Sequence, residues 1–183
     1  MTTVSVEHDL DWPSDHAVLL AVTDGATYHQ SLGRLAWALQ QRFRHGVLVT
    51  ANRPHSLLAD ALGRHGVDPA RMQYIDCVSS MTGVPPLPQP GVHHIESPTL
   101  LEKTILRAEQ LLRRTPEPRF LLVDSLSALA VFNGVQAVAE LTHNLVTRLR
   151  LLQVPAALVT VERQAPPELL ERTRAVMDGV LRL

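Results

Sequence analysis

The chain of 183 residues is long enough for one domain with a buried core. Hydrophobic residues make up 45% of it and charged residues 19%, which excludes an intrinsically disordered protein, and the net charge of -1 excludes strong non-specific attraction to nucleic acid or anionic membranes. The single cysteine, Cys77, excludes an intrachain disulfide, and no apolar run reaches the roughly 18 residues of a membrane span, so we expect a cytoplasmic protein.

The chain begins with a polar segment, residues 1–15, whose weak alternation predicts an N-terminal arm or an edge strand. From residue 16 to residue 183 we predict a single domain in which strands and helices alternate. Continuous apolar runs predict the strands, and apolar residues at helical spacing predict the helices. The predicted elements are strand 16–22, helix 31–43, strand 47–51, helix 54–66, strand 72–78, helix 99–114, strand 119–124, helix 135–152, strand 155–161, helix 166–177 and strand 179–183.

A proline-rich segment, residues 79–98, interrupts this alternation. It contains PPLPQP at 85–90, and consecutive prolines exclude both a helix and a central strand. A loop of about 20 residues is uncommon in a compact domain and is often functional, although a polyproline crossing of the surface is the alternative. Apolar groups gain little by staying in water, so we predict that four of its side chains contact a second chain: Val84, Leu87, Val92 and Ile95.

The order of the elements predicts the fold class. Strands that alternate with helices form parallel βαβ units with right-handed crossovers. The strands are almost entirely apolar, as expected for a sheet that is covered on both faces. The sequence therefore predicts an α/β three-layer sandwich, a mainly parallel sheet with helices on both faces.

Three segments resemble the RecA/KaiC-like ATPases. The strand HAVLLAV, followed by a loop and a helix, occupies the place of that family's phosphate-binding loop. FLLVDSLSAL resembles its Walker B strand, which ends at Asp124 here, and MDGVLRL resembles its closing strand. The resemblance covers most of residues 16–183. It implies that the six predicted strands, numbered in chain order, lie 3-2-4-5-1-6 across the sheet.

The phosphate-binding loop of that family is degenerate in this chain. The motif G-x-x-x-x-G-K-[ST] uses glycines so that backbone N–H groups wrap the phosphates, a lysine to neutralise them and a hydroxyl for magnesium. The matching stretch here is TDGATYHQS, which includes Gly25. When Ser31 is placed at the hydroxyl position, Gln30 replaces the lysine and His29 the second glycine. Asp24 replaces the first glycine, and a carboxylate about 4 Å from a phosphate would oppose binding by roughly 4 kcal/mol.

A second position of the ATP site has also changed. In the resembling family a glutamate after the second strand polarises the attacking water, whereas this chain has Asn52 and Arg53 there. Asp124 is therefore interpreted as the remnant of a magnesium site. For its present role we favour a structural one, in which the carboxylate caps the following turn through Ser127 or a backbone N–H group.

The chain is also similar, over a shorter stretch, to the RecA-like accessory subunits of Elongator. The similarity lies in the TDG sequence after the first strand and in LLVDSLSAL. Those subunits have no phosphate-binding loop and act by assembling into a ring. The resemblance implies that a degenerate domain of this kind can serve as an interface.

Other groups of residues predict no catalytic or metal site. The nine histidines and Cys77 show no ligand spacing, so we predict no metal, and a buried structural thiol for Cys77. Arginines cluster near the ends of two predicted helices, where they favour the helix dipole. A phosphate or nucleic-acid track is the alternative role for this set: Arg107, Arg113, Arg114, Arg119, Arg148 and Arg150.

These observations predict a non-catalytic RecA/KaiC-like domain, a pseudo-ATPase that acts as a binding, scaffolding or regulatory subunit. Its expected partners are a second copy of itself or a RecA-like relative, and no cofactor is expected. Two alternatives stay open. One is an atypical RecA-like ATPase, which would use ATP and magnesium, and the other is a nucleic-acid-binding accessory module.

Overall fold

A computed structural model of the chain describes residues 3–5, 12–83 and 86–183. The strands are β1 (Thr3–Ser5), β2 (Val18–Thr23), β3 (His45–Thr50), β4 (Met72–Asp76), β5 (Val92–His94), β6 (Arg119–Asp124), β7 (Ala156–Val161) and β8 (Gly179–Arg182). The helices are α1 (Tyr28–Phe43), α2 (His55–Gly63), α3 (Leu101–Arg114), α4 (Leu126–Leu152) and α5 (Pro167–Val176).

The strands form one parallel sheet in the order β1-β8-β2-β7-β6-β3-β4-β5. Six of them are the six predicted strands, and their order across the sheet is the one that the resemblance implies. In particular, β7 separates β6 from β2. The N-terminal β1 adds an edge strand beside β8, while residues 6–11 of the predicted arm lie outside the described residues.

Helices cover both faces of the sheet, as predicted. One buried cluster joins α1 and α2 to alternate side chains of the strands, and the other joins α3, α4 and α5 to the intervening ones. This division follows from the alternation of side chains along a strand and the stripe of apolar side chains along a helix. The predicted stripe of α1 is buried at every position: Leu32, Leu35, Ala36, Leu39 and Phe43.

The helix α4 has two parts that meet at Gly134. This glycine has φ of 76° and ψ of 165°, which lie outside the helical region. Glycine tolerates a positive φ because it has no Cβ. The predicted helix 135–152 is the second part, and the first part, which begins directly after Ser125, was not predicted.

The described part of the proline-rich segment has more regular structure than predicted, and it buries one of the four predicted interface residues. After a short 3-10 helix the chain turns at Gly91, whose φ is 75°, and returns to the sheet as β5. Val92 pairs with Tyr74, is half-buried and packs against the core, whereas the side chain of Ile95 is 0% exposed. The prediction that Ile95 contacts a second chain is therefore wrong, because the core of this domain already covers it, while the role of Val92 stays a prediction.

Leu87 remains as the exposed member of that predicted set. Its exposed fraction is 80%, and it lies in the stretch before Gly91 that belongs to no helix or strand. Val84 lies outside the described residues.

Within the described residues, no helix has both the length and the apolar character that crossing a membrane requires.

Candidate functional site

The candidate site lies at the carboxyl ends of β2, β3 and β6, where parallel α/β sheets commonly bind ligands. The loop after β2 leads to Tyr28 at the start of α1, and Asn52 and Arg53 follow β3. Asp124 is the last residue of β6, in register with Thr50 of β3. Because side chains alternate along a strand, Asp124 shares a face with Phe120 and Leu122, and this is the face that α1 covers.

The hydroxyl of Tyr28 donates a hydrogen bond to Oδ1 of Asp124. The same hydroxyl accepts a hydrogen bond of 3.0 Å from Nδ2 of Asn52. Tyr28 is 5% exposed and Asp124 is 0% exposed, so the contact between them is buried. The second carboxylate oxygen of Asp124, Oδ2, is also buried and has no hydrogen-bond partner among the described residues. Among the described residues, the phenol of Tyr28 is therefore the one hydrogen-bond partner of the Asp124 carboxylate.

Burial changes the acidity of both partners. Loss of hydration raises the pKa of Asp124 to about 6, although the hydrogen bond from Tyr28 and the charge of Arg53 act in the opposite direction. The pKa of the Tyr28 phenol is also raised, first by burial and then by the neighbouring carboxylate. The Tyr28 phenol therefore keeps its proton and donates, and Asp124 gains or loses its proton near pH 6.

Arg53 covers the outer side of this pair. Its guanidinium lies 5.3 Å from the centre of the Tyr28 ring, a distance typical of a cation–π contact. It also donates to Nδ1 of His29, whose ring meets the Tyr28 ring edge-on. Burial and the charge of Arg53 lower the pKa of His29, so that ring is a neutral acceptor. His29 stands where the ATPase motif has its second glycine, and Arg53 follows β3 where the family has a glutamate. In this chain these two residues contact each other.

The loop after β2 uses its own polar groups internally. Oδ1 of Asp24 accepts a hydrogen bond of 2.8 Å from the backbone N–H of Ala26, a group that a phosphate-binding loop would direct to its ligand. A Cβ added to Gly25 would lie 3.7 Å from the nearest side-chain atom, so this position does not require glycine. Ser31 is buried in the first turns of α1, whereas Gln30 is exposed.

The predicted cap at Asp124 is wrong. Ser125, whose peptide bond to Asp124 is cis, caps α4 instead, because its Oγ accepts from the backbone N–H of Ala128 at 3.2 Å. The hydroxyl of Ser127 lies 3.0 Å from that of Ser125 and accepts from the N–H of Val161. The serine hydroxyls thus satisfy the helix start and the neighbouring strand, and the carboxylate of Asp124 turns to the opposite side.

Sequence reasoning placed Asp24, Gly25, His29, Gln30, Ser31 and Asp124 in one vestigial site. The structure brings His29 and Asp124 together around Tyr28, while the carboxylate of Asp24 turns back to its own loop. Tyr28 itself was missed, because it occupied a position of the motif that accepts any residue. The signal for it was weak: an aromatic hydroxyl at the helix start, within a loop that had lost its lysine.

A second buried carboxylate, Asp76, was also missed. Burial opposes its ionisation, but hydrogen bonds from Ser79 and from the backbone N–H groups of His55 and Val78 keep its pKa below the ordinary value. These bonds join the loops after β3 and β4, so Asp76 has a structural role.

No cluster of three metal-binding side chains occurs in the part of the chain that the structure describes. Cys77 is buried, and burial raises its pKa to about 11.

Most of the clustered arginines are engaged in ion pairs. Glu109 contacts both Arg113 and Arg148. Arg119 lies 2.7 Å from Glu117, and Arg150 lies 2.7 Å from Asp178. These contacts favour the structural interpretation of the cluster over a nucleic-acid track. The two remaining arginines of the set, Arg107 and Arg114, form no ion pair with any described residue.

The comparisons with known proteins give the fold. No protein-family model and no curated protein matches the chain. A KaiC-like protein from the hyperthermophilic archaeon Pyrococcus horikoshii superposes with a TM-score of 0.64 at 14% identity, over 91% of this chain and 70% of that one. An uncharacterised Pyrococcus horikoshii protein, solved in complex with an unknown peptide, superposes with a TM-score of 0.66 at 18% identity, over 91% and 77% of the two chains. The chain thus has the RecA/KaiC-like fold.

Proposed function

We propose that this chain is a non-catalytic RecA/KaiC-like domain, a pseudo-ATPase that acts as a binding, scaffolding or regulatory subunit in a homo- or hetero-oligomer, with the cytoplasm as its expected location. The observation that carries the proposal is the buried hydrogen bond from the Tyr28 hydroxyl to Asp124. In a RecA-like ATPase the corresponding carboxylate serves the magnesium ion. Here the carboxylate is bound by the Tyr28 hydroxyl of the same chain, and the loop beside it lacks the lysine and the glycines of the phosphate-binding motif.

The energetic argument supports the same function. To free Asp124 for a cation, Tyr28 would have to break its hydrogen bond and leave a buried position. Exposing an aromatic side chain of this size costs about 2 kcal/mol, and the lost hydrogen bond adds about 1 kcal/mol. Arg53 could offer positive charge to a triphosphate beside Asp124, but that side chain is already held by His29 and Tyr28.

Exposed apolar side chains near the same edge of the sheet support a role in association. They lie on segments that follow the carboxyl ends of β3, β4, β5 and β6. Single exposed apolar residues are normal, but a group on one edge of a fold is typical of a contact surface. We call this set the carboxyl-edge apolar residues: Leu57, Met81, Leu100, Val131 and Phe132. The structural neighbour that was solved with an unknown peptide gives a precedent for peptide binding by a protein of this fold.

One observation favours the rival function, an atypical ATPase. Oδ2 of Asp124 is buried without a hydrogen-bond partner in the described chain. An unsatisfied carboxylate oxygen in a low-dielectric site has a strong affinity for a cation. If Tyr28 moved aside in the presence of nucleotide, Asp124 would be free to serve magnesium, and the experiment below therefore uses nucleotide directly.

We expect ATP with magnesium neither to bind nor to be hydrolysed. A ligand that binds only the native state raises the thermal midpoint by mass action, so millimolar MgATP should leave the midpoint unchanged. Differential scanning fluorimetry, with a catalytic RecA-like ATPase as the positive control, measures this. An upward shift that disappears in Ser31→Ala would replace the proposed function by the rival one.

We also expect the protein to associate through the carboxyl-edge apolar residues, with at least about 1,000 Å² of surface buried in total. Light scattering at micromolar concentration should give a mass above 20.2 kDa. The variant Leu57→Asp/Val131→Asp should reduce that mass, whereas Leu151→Asp should not. Leu151 is a matched control, because it is 81% exposed and lies at the far end of α4. A monomeric mass, together with no partner recovered from host lysate, contradicts the proposal.

A further inference from the structure

A cavity of about 420 Å³ lies at the amino ends of β3 and β4, beside β5 and the end of α3. We call it the amino-edge cavity; its polar side chains are His45, Arg71, Gln73, His93, Arg114 and Thr115. It is on the opposite edge of the sheet from Tyr28 and Asp124, so the site described above does not include it. A volume of this size is within the range of small-molecule pockets.

The charges around the amino-edge cavity are positive. Arg114 lines it, and Arg107 lies seven residues earlier on α3, which places both on one face of that helix. The charge of Arg107 reaches the cavity, because after burial it is the largest influence that lowers the pKa of His93. Neither arginine has an ion-pair partner in the described chain, whereas Arg113, which turns to Glu109, does.

The cavity also offers hydrogen-bonding groups that are not fully used. Nδ1 of His45 is buried and has no hydrogen-bond partner among the described residues. The amide of Gln73 lies 3.4 Å from Nε2 of His93, a long contact. No carboxylate lines the cavity; Asp68 lies 3.2 Å from the lining residue Arg71, and Glu117, which follows the lining residue Pro116, pairs with Arg119. A buried polar atom without a partner is costly, so a ligand group that bonds to Nδ1 of His45 would remove that cost.

One feature of the fold weighs against an anion here. The helix α3 ends at this cavity, and the carbonyl end of a helix repels anions. Part of this effect is removed, because both the N–H and the hydroxyl of Thr115 donate to the carbonyl of Leu111. Arg114, which lines the cavity and has no ion-pair partner in the described chain, provides a full positive charge, which exceeds the partial charge of the helix end.

We propose that the amino-edge cavity binds the phosphate group of a small molecule. Its ligand is a dianion rather than a single carboxylate, because a phosphate monoester carries about −1.5 to −2 charges at neutral pH and three acceptor oxygens. The guanidinium groups of Arg114 and Arg71 line the cavity, and Arg107 adds a positive charge from the same face of α3. The planar fork of Arg114 matches the oxygen geometry of a phosphate. The imidazole of His45 donates to a third oxygen.

Sodium phosphate is the probe for the full-length chain, and ¹H–¹⁵N spectra of the histidine rings report its binding at constant ionic strength. We expect saturable shifts of the His45 and His93 signals. The dissociation constant should rise about tenfold or more in Arg114→Gln, because a charged hydrogen bond is lost. Arg113→Gln is the matched control and should leave the constant unchanged, since Arg113 pairs with Glu109.

Three outcomes overturn this inference. The first is the absence of saturable shifts at His45 and His93. The second is equal binding by Arg114→Gln and by the wild type, which would indicate an adventitious ion elsewhere on the surface. The third is tighter binding of succinate or of a polyglutamate peptide than of phosphate, which would assign the cavity to carboxylates. None of these outcomes depends on the carboxyl-edge residues, so the test is independent of the proposed function.

Discussion

Replacement of Tyr28 by phenylalanine is expected to lower the free energy of unfolding by about 1–3 kcal/mol at pH 7.5, a large effect for one oxygen atom. The substitution keeps the ring in its buried position and removes only the donor that Asp124 contacts. Both oxygens of that carboxylate would then be buried without a hydrogen-bond partner in the described chain. Asn52 loses its acceptor as well, but it is exposed and can bond to water.

The effect of Tyr28→Phe should be smaller at pH 5 than at pH 7.5. The hydrogen bond from Tyr28 opposes the rise of the Asp124 pKa, so its removal raises that pKa further. A higher native pKa means that stability continues to fall up to a higher pH in the variant than in the wild type. The difference in stability between the two proteins is therefore larger at pH 7.5 than at pH 5. Urea denaturation at the two pH values, followed by circular dichroism, measures the difference.

Tyr74→Phe is the matched control for this experiment. Tyr74 is 3% exposed, and burial raises its pKa to about 12, as burial raises that of Tyr28. Its hydroxyl, however, has no hydrogen-bond partner among the described residues. We expect a change within about 0.5 kcal/mol for Tyr74→Phe. Equal losses in the two variants would show that the Tyr28–Asp124 contact contributes nothing specific.

The second large effect concerns the pH dependence that Asp124 itself causes. Burial disfavours its charged form and raises its pKa from the ordinary value of 3.8 to about 6 in the native state. Between these values the native state binds more protons than the unfolded one, so stability falls as the pH rises from about 4 to about 6. The linkage relation gives a loss of about 2 kcal/mol over that window.

Asp124→Asn should abolish this loss, because the amide does not titrate. The free energy of unfolding of the variant minus that of the wild type is expected to rise by about 2.5 kcal/mol between pH 4 and pH 7.5. The difference is the quantity to measure, since other groups titrate equally in both proteins. Asp76 and Glu109, for example, have lowered pKa values, and their stabilisation is lost toward acid pH.

The two proteins can also differ in stability by an amount that does not change with pH, because the new amide places a buried N–H donor at the position of Oδ2, which had no partner. Such a constant difference does not bear on this prediction, which concerns the change with pH. Parallel curves from pH 4 to pH 7.5, in contrast, would mean that Asp124 ionises normally in the native state. The same variant should keep its oligomeric mass. Loss of association with an intact fold would show that the carboxylate has a chemical task in binding.

Much of the fold could be predicted from local pattern. The strand β6 begins and ends at the predicted residues 119 and 124, and α3 begins within two residues of the predicted start. These elements are recognisable because a buried parallel strand is continuously apolar and an amphipathic helix repeats its apolar residues every 3.6 positions. The order of the strands came from the resemblance of three motifs to a known fold, and the structure confirms it.

The absence of the ATPase residues from the candidate site can be read directly from the sequence. Lysine and glycine are missing from the phosphate-binding loop at positions that a motif defines, so their absence is visible without coordinates. The side chain that contacts Asp124 in their absence is visible only in three dimensions. Tyr28 and Asp124 are separated by 96 residues, and their contact depends on how α1 packs over β6. Ile95 and the edge strand β5 are similar cases, because a proline-rich segment looks like a loop until the edge of the sheet receives it. Local sequence sets which face of an element is apolar, whereas the partner of a polar side chain is set by contacts between distant elements.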